Sequence, residues 1–283
     1  MWQAVRIFPL ALLASSAWNQ TAPDSAPPHL ASGMHFIGID KQPECVIVID
    51  VPVSSITLNK EPASRHLKGQ FSYHALIKDQ NGAVVKEFSG EQAVDLPPSQ
   101  VGSTRASHFI YTQHSDLAPG SYHLETLVTD MNTGAVSTRK ATFSMPESDG
   151  HLALSSVALV RNLRENSNGI TADDPFLMGS KVVVPVIAAS LRKSDADLLR
   201  FYLVVYPDPN THQKPGLAMT FLKDGKALAT ESPELGSSDA KGRIQYVAAT
   251  PITQLQPGDY EVRFTAKQGS ETAVEIVRFT LEQ

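Results

Sequence analysis

The sequence predicts an all-β chain built from two tandem sandwich domains, and three observations carry that reading. Short apolar stretches with two-residue alternation follow one another from Cys45 to the last residues. Turn chemistry rich in Gly, Pro, Asn and Asp separates them. Phrases of the first half recur, in the same order, in the second. No stretch holds three turns of amphipathic helix; the best local candidates, Ser194 to Leu199 and Gln92 to Val94, are short.

The first series of strands opens with Cys45 to Val51, a β-branched run stopped by Pro52. Phe71, Tyr73, Ala75 and Ile77 alternate with Ser72, His74, Leu76 and Lys78. Asp79-Gln80-Asn81-Gly82 turns the chain and Ala83 to Phe88 returns as the partner. His108 to Thr112 is a further strand. In Leu117-Ala118-Pro119-Gly120, Pro presets φ and Gly accepts a positive one, so the chain reverses there. Tyr122 to Thr129 and Val136 to Met145 flank Asn132-Thr133-Gly134 as a hairpin.

Pro146-Glu147-Ser148-Asp149-Gly150 is a polar breaker cluster and marks the domain boundary. His151 to Val160 opens the second series, and Asn162 to Gly179 reads as a long polar loop. Lys181 to Ala188 and Leu198 to Tyr206 are strands. The latter is apolar on both faces, which puts it at the centre of a sheet. Leu217 to Leu222 and Lys226 to Thr230 flank Asp224-Gly225, a strong hairpin signal. Arg243 to Ala249, Tyr260 to Ala266 and Ala273 to Leu281 complete the series.

The duplication is the sharpest feature. Leu117-Ala118-Pro119-Gly120-Ser121-Tyr122 recurs as Leu255-Gln256-Pro257-Gly258-Asp259-Tyr260, a period of roughly 140 residues that fits a doubled domain rather than a solenoid. Ala141 to Met145 matches Val277 to Leu281, and Ala75 to Asp79 matches Thr220 to Asp224. In each copy the turn at Pro119-Gly120 or Pro257-Gly258 is followed by a tyrosine that opens an alternating strand. That is the placement of the tyrosine corner of immunoglobulin-like and fibronectin-like sandwiches, so Tyr122 and Tyr260 are expected to bury their rings and bond backbone with their hydroxyls.

Residues 1–17 have the layout of a secretory signal peptide: Arg6, an apolar run from Ile7 to Ala14, then Ser15-Ser16-Ala17. The run is too short to span a bilayer, and no later stretch is long and apolar enough. Residues 18–44, rich in Pro, Ala and Ser, read as a disordered leader. The expected organisation is therefore signal peptide 1–17, leader 18–44, sandwich 45–146 and sandwich 151–283, in a periplasmic or secreted bacterial protein.

Function classes narrow by elimination. With 42% hydrophobic and 19% charged residues the chain has a globular composition, and a net charge of -5 speaks against nucleic acid as a partner. The densest cationic spots, Arg139-Lys140 and Arg192-Lys193, read as solvated surface. One cysteine, Cys45, allows no internal disulfide and sits in an apolar run, as a buried structural thiol would. Nine histidines are scattered without zinc-ligand spacing; His108 and His114 are the closest suggestive pair. No nucleophile elbow, phosphate loop or dinucleotide fingerprint occurs. Asp173-Asp174, and Asp195 with Asp197, read as loop acids rather than a calcium site. No catalytic, cofactor-binding or metal residue is assigned and no cofactor is expected. Both tryptophans, Trp2 and Trp18, precede the domains, which weakens a carbohydrate-binding reading; Tyr202, Tyr206 and Tyr246 are the substitutes.

Val128-Thr129-Asp130-Met131-Asn132-Thr133-Gly134 and Phe143 to Pro146 in the first half, with Tyr202 to Pro207, Leu255 to Tyr260 and Gln268-Gly269 in the second, resemble the C-terminal region of bacterial von Willebrand factor A-related proteins of the acidobacterial type. The resemblance covers Cys45 to Gln283. It implies an exported, non-enzymatic protein with sandwich domains. It carries no metal site, because the D-x-S-x-S motif of the A domain is missing. The expected function is a non-catalytic structural or protein-interaction module of the cell envelope, its partner an envelope protein or a glycan. The alternatives are a carbohydrate-binding module and a hydrolase with its site in the Asn162 to Gly179 loop.

Overall fold

The computed structural model describes residues 29–38, 41–100, 107–167, 169–195 and 197–283. The signal peptide reading, residues 1–17, and residues 18–28 and 39–40 of the leader lie outside the described residues.

The first half carries eight strands: β1 (Leu30–Ile37), β2 (Pro43–Pro52), β3 (Asn59–Lys60), β4 (Leu67–Lys78), β5 (Val84–Leu96), β6 (His108–Asp116), β7 (Gly120–Asp130) and β8 (Val136–Met145). The second carries eleven: β9 (Ala153–Leu154), β10 (Ala158–Glu165), β11 (Leu177–Met178), β12 (Lys181–Val186), β13 (Ser190–Arg192), β14 (Leu198–Tyr206), β15 (Gly216–Lys223), β16 (Lys226–Glu231), β17 (Ile244–Pro251), β18 (Gly258–Gln268) and β19 (Glu271–Glu282).

Each half is an all-β sandwich of the fibronectin-like kind. In the first, a sheet ordered β1-β2-β6 faces one ordered β3-β4-β7-β8, with β5 on the other edge of β4. In the second, β10-β14-β17 is the same three-strand unit, extended by β12, β11 and β9. Opposite it, β19-β18-β15-β16 matches β8-β7-β4-β5, with a short parallel β13 added on β19. Alternation explains why these residues make two-faced sheets. Along β8 every second residue is buried, and β18 alternates in the same way.

The copies agree down to register. Tyr122 lies opposite Phe143, and Tyr260 opposite Phe279. The rings stack at 5.5 Å and 5.4 Å between centroids. A register irregularity falls between Ile77 and Lys78 in the first copy and between Phe221 and Leu222 in the second. Ile77 pairs with Leu124 and Phe221 with Val262, which are matching positions. This corrects the alignment of Ala75 to Asp79 with Thr220 to Asp224 by one residue. The Asp224-Gly225 turn is shorter than Asp79 to Gly82, so matching by the turn slides one strand by one place. A slide of one residue exchanges the faces of a strand, and only the corrected alignment sets Ile77, a core residue of the first copy, against a core residue of the second, Phe221.

Each sandwich has its own core. Ile47, Phe71, Ile77 and Leu124 centre the first. Phe201, Leu203, Val262 and Phe264 centre the second. A third core joins them. It holds Met34, Phe36, Val46 and Val48 from β1 and β2, against Ala158, Val160, Val183, Tyr202, Val204 and Tyr206 from β10, β12 and β14, with Phe176 between. The four sheets therefore stack as layers, and the two inner sheets are covered on both faces. β2 and β14 are buried along nearly their whole length for that reason.

The leader reading 18–44 is corrected by β1, which pairs with β2 from Leu30↔Asp50 to Ile37↔Pro43. Its Pro/Ser-rich neighbours hide three apolar side chains, Met34, Phe36 and Ala31, that have cores to enter. The start of β1 is pinned from the other sheet. The ring nitrogens of His29 lie 2.9 Å from Ser137 Oγ and 2.8 Å from Thr126 Oγ1, and Arg139 Nε donates to the His29 carbonyl at 3.0 Å. Arg139 is thus a buried anchor and not solvated surface. Gly33 lets β1 approach β8: a Cβ there would stand 2.5 Å from the Phe143 ring.

The Asn162 to Gly179 loop is also shorter and more structural than expected. Its first residues belong to β10, Leu177–Met178 pairs with β12, and Phe176 is a plug in the third core, edge-on to Phe36 at 5.3 Å. We expect Phe36→Ala to destabilise the chain by about 3–5 kcal/mol through the lost burial and the cavity left behind. Denaturant melts followed by fluorescence and circular dichroism would check this, and a change under about 1 kcal/mol would contradict a shared core.

Candidate interaction site

The residues singled out by sequence lie at the start of β7 and, in the second copy, at the start of β18. Tyr122 Oη donates to the Ala118 carbonyl at 2.7 Å, and Tyr260 Oη to the Gln256 carbonyl at 2.6 Å. Gly120 and Gly258, with φ of 153° and 144°, open the strands that carry these rings, directly after Pro119 and Pro257. A side chain on Gly258 would meet Lys223 Cε at 2.6 Å. Burial raises the pKa of both tyrosines, so both stay neutral donors. These four turn residues and two tyrosines build the fold and form no pocket together.

Sequence reasoning missed a second paired device at the far end of the same strands. Asp130, buried at the end of β7, accepts from the Thr57 amide at 2.7 Å and from the Asn132 amide at 2.9 Å. Burial opposes its charge, but these amide donors together hold its carboxyl below the ordinary range. Gln268 ends β18 at the matching place. Its Oε1 accepts from the Asp208 amide at 2.8 Å, and its Nε2 donates to the Gln213 carbonyl at 2.8 Å. Each polar side chain thereby clamps the loop that leaves the inner sheet. Asp130 and Gln268 share no side-chain chemistry beyond an acceptor oxygen, so no sequence match signalled the pair.

The remaining chemistry gathers along the seam between the sandwiches. Asp50, 2% exposed on β2, lies 2.5 Å from His108 Nδ1 and 3.1 Å from Arg161 Nη2 of the second sandwich. His114 on β6 contacts Glu44 at 2.5 Å and reaches across to Asp174 at 3.3 Å. His35 sits between Ser156 Oγ and the Leu154 carbonyl, 3.3 Å from Glu275. The Ile37 amide donates to Tyr206 Oη at 3.0 Å, and Tyr202 Oη donates to the Pro175 carbonyl. His108, His114 and Asp174, considered above as chemical groups, are thus spent on the seam. Asp173 pairs with Lys241, and the side chain of Asp195 lies outside the described residues. Among the described residues no cluster of three His, Cys, Asp or Glu is placed to hold a metal ion, and no helix is long and apolar enough to cross a membrane.

Two alternative readings lose their residues here. Tyr202 and Tyr206 are buried in the third core and offer no platform to a sugar ring. Tyr246 is half-buried against the second core. The acids of the Asn162 to Gly179 loop do not converge on a cleft: Asp174 caps the Phe176 amide at 2.7 Å and faces His114. Cys45 is fully buried in the first core, and burial pushes its thiol up to about 12, an inert state.

No family model matches the chain, and no curated protein matches it. Among solved structures the chain is similar to a mutant Salmonella alpha-2-macroglobulin, with 9% identity over 90% of this chain and 25% of that one and a TM-score of 0.32. It is similar to fibronectin(III)-like modules of Clostridium thermocellum CbhA, with 12% identity over 84% of each chain and a TM-score of 0.20. It is also similar to trypsin-activated alpha-2-macroglobulin from Escherichia coli, with 12% identity over 91% of this chain and 17% of that one and a TM-score of 0.26. The chain spans about a quarter of the length of the Salmonella protein. The assignment to fibronectin-like sandwiches stands on the strand order and the cores.

Two outcomes follow from this geometry. Tyr260→Phe should lower stability by about 1 kcal/mol, the worth of one intramolecular hydrogen bond; an unchanged urea midpoint would contradict the role given to the hydroxyl. The carboxylates of Asp174 and Glu44 raise His114 to about 9 despite its partial burial. A raised folded value stabilises fully below the ordinary histidine range and fades as pH climbs through that raised value. His114→Gln should therefore lower the melting temperature clearly at pH 6 and hardly at pH 10. Equal losses at both would show that the seam contact is not ionic.

Proposed function

We propose that this chain is an exported, non-catalytic interaction module of a bacterial cell envelope, acting as one stiff body of two sandwiches. The observation that carries the proposal is the third core. A large apolar contact between domains removes the relative motion expected of loosely linked modules, which suits a spacer or scaffold. The commitment of Asp50, His108, His114, Asp174 and Arg161 to the seam supports a non-catalytic reading. Export rests on the pattern of residues 1–17, and the bacterial envelope on the resemblance to von Willebrand factor A-related proteins. The partner class is a protein of the envelope.

Expression of the full-length tagged chain in a bacterium tests both halves of the proposal. Export expects a mature N-terminus at Trp18, by mass spectrometry, in the periplasmic or medium fraction. Retention in the cytoplasm with residues 1–17 intact would overturn it. Cross-linking in intact cells should trap the same envelope protein in replicate, with untagged chain competing. Recovery of no competable partner would overturn the interaction role.

A further inference from the structure

A cleft of about 470 Å³ opens at one end of the seam. Ile37, Gly38 and Lys41, with Ser148 and Gly150 of the linker between the sandwiches, form one wall. The loop after β14 and the residues just before β17 form the other. Its charge is opposite to that of the molecule. Lys41, Lys214, Lys241 and Arg243 line it against a single carboxylate, Asp208, in a chain of net charge -5.

Two of these groups have settled duties. The Asp208 carboxylate accepts from the Asn210 amide at 2.8 Å and lies 3.4 Å from His151 Nδ1. Lys241 Nζ donates to Asp173 and to the Ala172 carbonyl. Arg243 is different. It is only 9% exposed, and Asp239 fixes it twice, accepting from its amide at 2.9 Å and from its Nε at 3.0 Å. Its terminal nitrogens, Nη1 and Nη2, have no partner among the described hydrogen bonds. They are not sealed away either: the fully buried unpartnered side-chain atoms among the described residues are Ser115 Oγ and Arg161 Nε. A guanidinium held by its Nε, with two donor groups left at a cleft wall, is a fork without an anion. Beside it the Tyr206 hydroxyl accepts from the Ile37 amide, and its own proton has no acceptor among the described residues. Lys214 is exposed at the rim with no described partner.

We propose that this cleft binds a small organic oxyanion, a carboxylate or a phosphate, gripped by the terminal nitrogens of Arg243 and met by the Tyr206 hydroxyl and Lys214. The planar fork of an arginine matches two oxygens of either group in a bidentate pair. Because Asp239 already orders the side chain, little rotamer freedom is left to lose on binding. The volume is that of a small-ligand pocket, and Pro207, Pro209 and Pro215 give the wall the apolar share such pockets have. The donors it uses, the Arg243 terminal nitrogens, the Tyr206 hydroxyl proton and the Lys214 ammonium, have no described duty in the fold, so the site stands or falls separately from that reading.

Isothermal titration of the full chain with citrate, and separately with inorganic phosphate, tests this at low ionic strength, with sodium chloride of equal ionic strength as reference. Saturable binding of at least one probe is expected, weakened about tenfold in Arg243→Gln, weakened also in Lys214→Gln, and unchanged in the distant Lys226→Gln. Binding of citrate alone assigns a carboxylate ligand, of phosphate alone a phosphate ligand, and of both an oxyanion site without selection by shape. Absence of saturable binding for both probes would overturn the proposal. Should Arg243→Gln lose its native circular dichroism, Lys214→Glu decides: an affinity equal to that of the unaltered chain would overturn it too.

Discussion

Two strands buried on both faces set the terms for everything else in this protein. β2 and β14 each belong to a sandwich, and each turns its second face to the other. The odd positions of β2, Cys45, Ile47, Ile49 and Val51, enter the first core, while Val46 and Val48 enter the shared one. On β14, Leu199, Phe201, Leu203 and Val205 face the second core, and Tyr202, Val204 and Tyr206 face the shared one. An antiparallel sheet commonly leaves one face to water. Here that face is apolar in both domains, and its removal from water is the driving force that joins them. A polar residue at Val48 or Val204 would leave each sandwich its own core and take away the reason for the two to meet.

Apolar contact has no direction, so orientation must come from elsewhere. The polar contacts around the third core supply it. The Ile37 amide on Tyr206, the His35 amide on Ser156 Oγ at 2.9 Å, and the Ser156 amide returning to the His35 carbonyl fix β1 against the second sandwich. Asp50 with Arg161 does the same from β2 to β10. A carboxylate at 2% exposure would be costly alone. With His108 and Arg161 on its two oxygens it is satisfied in one relative placement of the domains and left short in others.

Much of this was legible in the sequence, and the losses have physical reasons. Strand alternation, the Pro-Gly turns and the doubled phrase sufficed for the class and the duplication, because they are local. The double apolar face of Leu198 to Tyr206 marked a central strand. The same signal in Cys45 to Val51, read as an ordinary short strand, was the trace of the shared core. What could not be read was which partner covers the second face, since that depends on contacts between distant segments. β1 was lost because Pro and Ser nearby set the composition of its window, while its register comes from β2. The Asp130 and Gln268 clamps escaped because their likeness lies in position and hydrogen bonding, not in residue type. Arg243 escaped for a further reason: its importance lies in the two donors that Asp239 leaves unused.

The duplicated plan also explains where the two halves were free to diverge. The hairpin β7–β8 and its counterpart β18–β19 keep the tyrosine, its stacked phenylalanine and the glycine that opens the strand, because these serve a core each half needs for itself. The inner sheets had no such constraint beyond being apolar outward. The second gained β11 and β12 beyond β10, and with them the Phe176 plug that fills the seam beside Phe36 and Tyr202. The first kept three strands and offers His114 and Glu44 to the acid that caps that plug. A doubled unit whose copies stayed separate would show equivalent polar outer faces. These faces are unequal and complementary, as in an asymmetric interface whose two sides are shaped to each other.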